Sequence, residues 1–119
     1  MEMSKIEIEV MNSKRALAAF VETWNAGTRR NTKHRLAFGS MRELFSALSE
    51  RRIELLRYVG THDGLNIKQL AKVLERDYKN VHTDVTDLIA LGMLEKDESG
   101  SISAPFDEII IHADLRQAA

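Results

Sequence analysis

The chain has 119 residues, 44% of them hydrophobic and 29% charged, with a formal net charge of −1. That balance fits a soluble domain with one core, too small for two, and it supplies no global attraction to nucleic acid, so any DNA contact must rest on locally clustered cations. Cysteine is absent, which excludes a disulfide framework, a thiolate metal site and cysteine redox sensing, and makes a cytoplasmic setting the easier expectation.

The first ten residues, MEMSKIEIEV, place acidic residues among isoleucines and lack an apolar stretch followed by a cleavage site. No later segment reaches transmembrane length, so secretion and membrane insertion are not expected. Ile6, Ile8 and Val10 alternate with Glu7 and Glu9, the period of a short strand with one wet face, and such a strand needs a partner. Leu17, Phe20, Val21 and Trp24 then recur at helical spacing after Asn12 and Ser13, with Gly27 closing the helix. This apolar stripe suits either intramolecular core or a subunit interface. Thr28 to Arg35, TRRNTKHR, reads as a basic connection in which Arg29, Arg30, Lys33 and Arg35 either grip flanking DNA or an acidic partner, or are simply solvated. Leu36 to Phe38 is a brief stretch able to pair in a sheet. Ser40 with Glu43 forms a capping box for a short helix carrying Leu44, Phe45 and Leu48. Ser49 caps a second helix containing Ile53, Leu56 and Val59, which Gly60 and Gly64 end, and Arg51 and Arg52 are expected on its exposed surface.

Asn66 to Lys96 is the most informative stretch. Ile67, Leu70, Ala71 and Leu74 share one helical face, as do Val81, Val85, Leu88 and Ile89, so two amphipathic helices can pack together. Asn66 and Gln69 fit an N-cap with its reciprocal partner, and Asp77 with Asn80 makes a weaker start for the second helix, leaving Glu75, Arg76 and Asp77 as the turn. Gly92 falls where a left-handed C′ position favours glycine. Met93 to Lys96 and Ser101 to Ala104 then flank Glu98, Ser99 and Gly100 as a hairpin. Pro105 precedes a last strand, Glu108 to Asp114, with Ile109 and Ile111 on one side and Ile110 and His112 on the other; with the strands near Ile6 and Leu36 it can form a second small sheet or a subunit contact. The pattern predicts a mainly α fold with small β structure (α+β), a winged helix-turn-helix over 40–119 preceded by a strand and helix extension over 1–39.

A family resemblance strengthens at RDYKNV (Arg76 to Val81), DLIALGMLEKDESG (Asp87 to Gly100) and APFDEIIIHADL (Ala104 to Leu115). The chain resembles small prokaryotic DNA-binding proteins of winged-helix type, related to MarR and ArsR regulators, that look like antitoxins encoded beside a small TumE-type toxin. The resemblance is firmest from Ser49 to Leu115. It departs from the pattern at Thr83, where relatives often carry a basic residue, and at an acidic wing tip, Asp97 and Glu98; both changes weaken phosphate binding. What it implies, beyond anything composition suggests, is neutralisation of a cognate toxin.

In a winged helix-turn-helix the first turns of the second helix enter a DNA major groove, which here means Tyr78, Lys79, Asn80, His82 and Thr83. Lys79 suits a guanine edge or a phosphate, Asn80 can pair with adenine, and Thr83 can meet a phosphate or a thymine methyl. Each has a plainer role available: Asn80 as a cap, Tyr78 packed in the turn, Lys79 as a solvated charge. Lys68, Lys72, Arg76 and Lys96 are the expected backbone contacts. Asp84 and Asp87, further along the same helix, must face away from phosphates or be paired with cations. The four histidines are scattered, and no HExxH, phosphate-binding glycine loop or nucleophile elbow occurs, so catalysis is not expected. His62 with Asp63, or Asp107 and Glu108 with His112, are too sparse to predict a metal, and no cofactor is expected. The expected partners are operator DNA, a second copy of the chain and a cognate toxin, with no membrane. The function so predicted is autoregulatory repression, with a toxin-holding module of little DNA affinity as the alternative.

Overall fold

A computed structural model describes residues 4–10 and 34–113 of the chain. The helix expected over Leu17 to Trp24, its closing Gly27, and Arg29, Arg30 and Lys33 fall outside the described residues. Among those residues four helices and two small sheets make an α+β fold, and no helix is long and apolar enough to cross a membrane. The chain divides into two compact units, Met1–Ser46 with Glu108–Ala119, and Ala47–Asp107. This differs from a cut between residues 39 and 40, because the last strand pairs with the first and so joins the N-terminal unit.

The first unit is built on a three-stranded sheet in the order β2-β1-β5, where β1 is Lys5–Val10, β2 is His34–Phe38 and β5 is Glu108–Ala113. Both pairings are parallel. Since side chains alternate across a strand and register neighbours share a face, Ile6, Ile8 and Val10 lie on the same side as Leu36, Phe38, Ile109 and Ile111, whereas Glu7 and Glu9 lie with Arg35, Ile110 and His112. Ile6 and Ile8 are almost wholly buried. Arg35, expected in a basic connection, is therefore a strand residue. The edge strand β5 keeps Ile111 exposed. Helix α1, Met41–Ala47, starts where the Ser40 hydroxyl accepts the Glu43 N–H at 3.1 Å. The Glu43 carboxylate reaches one residue further back than a capping box requires and accepts the Gly39 N–H at 3.1 Å.

The second unit begins with α2, Glu50–Thr61, capped by Ser49 accepting the Arg52 N–H at 3.3 Å. It buries Leu55, Leu56 and Val59, leaving Ile53 only half-buried. Gly60 does not end this helix but lies inside it; the chain leaves through His62, whose ring stacks on Tyr58 at 4.2 Å, and turns at Gly64, φ +97°. Leu65 then forms a bridge with Ile102, its carbonyl accepting the Ile102 N–H at 2.8 Å. Helix α3, Ile67–Val73, opens on the full Asn66/Gln69 capping box, with both bonds formed at 2.8 and 2.9 Å. Helix α4, Tyr78–Ala90, opens on Asp77, which accepts the N–H groups of Lys79 and Asn80.

Both α3 and α4 end in the same double bond pattern, in which the residue two past the cap reaches back five and its predecessor reaches back three. After α4 Met93 N–H bonds to the Leu88 carbonyl and Gly92 to Ile89, with Gly92 at φ +80°. After α3 Arg76 bonds to Ala71 and Glu75 to Lys72, but the left-handed position is held by Glu75, φ 55°, where glycine would be unstrained. The tight joint between the two helices is thus a defined turn, not a loose loop. Strands β3, Glu95–Lys96, and β4, Ile102–Ser103, pair antiparallel. Met93 and Leu94 are buried on the way into β3, and with Leu70, Val81, Val85, Leu88 and Ile102 they have essentially no solvent exposure.

Candidate nucleic-acid interface

Burial of Val81, Val85 and Leu88 at 0% exposure fixes the rotation of α4 about its axis. Tyr78, Lys79, Asn80, His82, Thr83 and Thr86 are consequently turned to solvent. Asp77 occupies the cap, so Asn80 is not needed there, and its side-chain amide makes no hydrogen bond among the described residues. Tyr78 does not pack into the turn; it is 51% exposed, and its ring lies tilted against that of His82 at 5.9 Å. Thr83 donates its hydroxyl proton to the Lys79 carbonyl at 3.1 Å, leaving its methyl and oxygen lone pairs outward. One short helical surface therefore presents an ammonium, a primary amide, an imidazole and a hydroxyl together.

The carboxylates of the same helix are accounted for. Asp84 is 14% exposed and uses both oxygens: Oδ1 accepts from Arg52 Nε at 2.9 Å, and Oδ2 from a terminal nitrogen of Arg76 at 2.6 Å. A second nitrogen of Arg52 reaches Asp87 at 2.6 Å, and a third contact runs to the Ala47 carbonyl. Arg52 is thus mostly buried beside its acids and not on an exposed surface. Burial pulls its guanidinium down, yet the hydrogen bonds and charges of Asp84 and Asp87 outweigh that and hold it above its ordinary value. Arg76 is 12% exposed and committed to Asp84, with its Nε and other terminal nitrogen buried and lacking a hydrogen-bond partner. It is removed from the set of expected phosphate contacts, because a side chain holding a turn against α4 is not available to a backbone outside.

The profile of the HVO_A0114 family matches residues 47–111, more than half of the chain. The chain belongs to the HVO_A0114 family. No curated protein and no solved structure matches it. The matched span of this family holds α2, α3, α4, the hairpin and most of β5, and with them the candidate contacts on α3, α4 and the hairpin, while the basic cluster Arg29 to Arg35 lies outside it.

Within that HVO_A0114 span, Lys68 and Lys72 are exposed one turn apart on α3, and Lys96 is exposed on β3. The hairpin loop is pinned by Asp97, whose Oδ1 accepts from the N–H of Ser99 and of Ser101 at 2.9 Å and from the Ser99 hydroxyl at 2.7 Å. The Ser99 hydroxyl foremost, with those backbone donors, lowers the Asp97 carboxyl below the usual range. Its charge is spent on the turn, while Glu95 and Glu98 remain exposed beside Lys96. His62 is engaged at the α2 terminus, contacting Thr61 and the Tyr58 carbonyl. His112 is brought to Glu7 and Glu9 instead of to Asp107 and Glu108, a grouping with no signal in sequence spacing because it joins opposite ends of the chain.

Proposed function

We propose that residues 47–107 act as a winged helix-turn-helix that binds double-stranded DNA, with α3 and α4 as the paired helices, α4 as the recognition helix and the β3–β4 hairpin as the wing. The observation that carries this reading is the outward set Tyr78, Lys79, Asn80, His82 and Thr83 on the first turns of α4, with Asp84 and Asp87 of the same helix neutralised by Arg52 and Arg76. The element order, with Leu65 bridging to the hairpin between α2 and α3, supports it. Lys79 and Asn80 read base edges; Lys68, Lys72 and Lys96 hold phosphates. In this reading the protein is a non-enzymatic, homodimeric repressor that occludes its operator, and its resemblance to antitoxins encoded beside TumE-type toxins supports a second role, neutralising a cognate toxin. Exposed Glu95 and Glu98 favour a second reading, in which the same fold chiefly holds the toxin.

Fluorescence anisotropy on the DNA upstream of its own gene, against scrambled DNA across a salt series, separates the two. The three phosphate-facing lysines of each protomer contribute about −2.7 to the slope of log K against log salt. Lys79→Ala with Asn80→Ala should abolish the preference for its own DNA while folding and toxin neutralisation persist. Equal, weak binding to both DNAs would select the toxin-holding reading.

A further inference from the structure

On the polar face of the three-stranded sheet, Glu7 and Glu9 stand two apart on β1, and His112 on β5 is in register with Glu9. His112 Nε2 lies 3.5 Å from Glu7 Oε1, and one ligand atom from each of the three residues falls within 4.8 Å of the others. We propose that Glu7, Glu9 and His112 bind a divalent first-row transition-metal ion, of which Zn²⁺ is the type. Bonds of about 2.0–2.2 Å place neighbouring donors roughly 3.0–3.6 Å apart. The His112–Glu7 pair already meets that spacing, and a rotamer adjustment brings in Glu9. The Glu7 side chain is 13% exposed, so one ligand is held in place by its surroundings. Arg35, in register with Glu7 on β2, shares this face; a carboxylate has two oxygens and about four lone-pair sites, enough to serve both a guanidinium and a metal. The imidazole selects against Mg²⁺ and Ca²⁺, which prefer oxygen. Two of the ligands lie on β1 and the third on β5, so the ion would cross-link these two neighbouring strands, which are far apart in sequence. All three residues lie outside the family match, and the site is independent of the DNA-binding reading.

The test is calorimetry of the full, tag-free chain with Zn²⁺ alone, with Co²⁺ absorption reporting nitrogen and carboxylate ligation. One equivalent per chain is expected, unaffected by millimolar Mg²⁺, with a Tm rise of about 10 °C at a hundredfold excess over Kd that a chelator reverses. Glu9→Gln and His112→Ala should each weaken binding at least tenfold, with the metal-free circular dichroism spectrum unchanged. Glu9→Gln keeps the side chain's size, so the test survives even if His112→Ala fails to fold. Absence of stoichiometric binding, or binding that both variants leave intact, would overturn the proposal.

Discussion

Replacing Asp84 with alanine removes two ion-pair contacts at once but does unequal damage to its partners. Arg52 keeps Asp87 and the Ala47 carbonyl, whereas Arg76 loses the one acceptor its guanidinium has among the described residues, where its other nitrogens are already without hydrogen-bond partners. A guanidinium only 12% exposed would then be stranded beside α4. Breaking a buried pair from one side costs about 3–5 kcal/mol; partial exposure and the surviving Arg52 bonds bring the expectation to roughly 3 kcal/mol, a large share of a typical stability of about 5–15 kcal/mol. The corresponding loss in Tm is about 10–20 °C. Urea and thermal unfolding followed by circular dichroism would measure it. In the double variant Asp84→Ala with Arg76→Met both charges go, and much of the loss should return, because replacing both members of a buried pair by apolar groups is often close to neutral. Arg76→Met alone should lower stability and leave the salt slope of DNA binding unchanged, since Arg76 holds the turn and not a phosphate. An Asp84→Ala cost under about 1 kcal/mol, or a double variant no more stable than Asp84→Ala, would refute the reasoning.

Gly60 sits inside α2 with nothing within 4 Å of where a Cβ would stand, so Gly60→Ala should stabilise the protein by about 0.5–1 kcal/mol, read as an upward shift of the urea midpoint at unchanged m-value. The depressed Asp97 carboxyl makes the hairpin turn pH-dependent. Its contribution is complete above the ordinary aspartate value, about 3.9, and is lost as pH falls through the lower folded value. The amide shifts of Ser99 and Ser101 should titrate with a midpoint below 3.9 and cease to do so in Asp97→Asn; a midpoint at or above that value would contradict the turn geometry.

The pieces of this fold that the sequence determined by itself are those whose partners lie within about five residues. Asn66 with Gln69, Ser49 with the Arg52 N–H, and Gly92 at its left-handed position are each settled by one turn of backbone, so residue type and spacing suffice to read them. The apolar stripes of α3 and α4 were legible for the same reason, and with them the outward position of Lys79, Asn80 and Thr83. Helix ends without a decisive local signal were less so: Gly60 is tolerated inside α2, and Glu75 takes a conformation that residue preference would assign to glycine. Tertiary structure alone decided that Arg52, 32 residues before Asp84, and Arg76 are spent on that carboxylate, because sequence carries charge but not the burial that makes a pair obligatory. It alone decided, too, that β5 runs parallel beside β1 and carries His112 to Glu7 and Glu9, since strand alternation fixes which side chains share a face but not which strand comes to lie alongside.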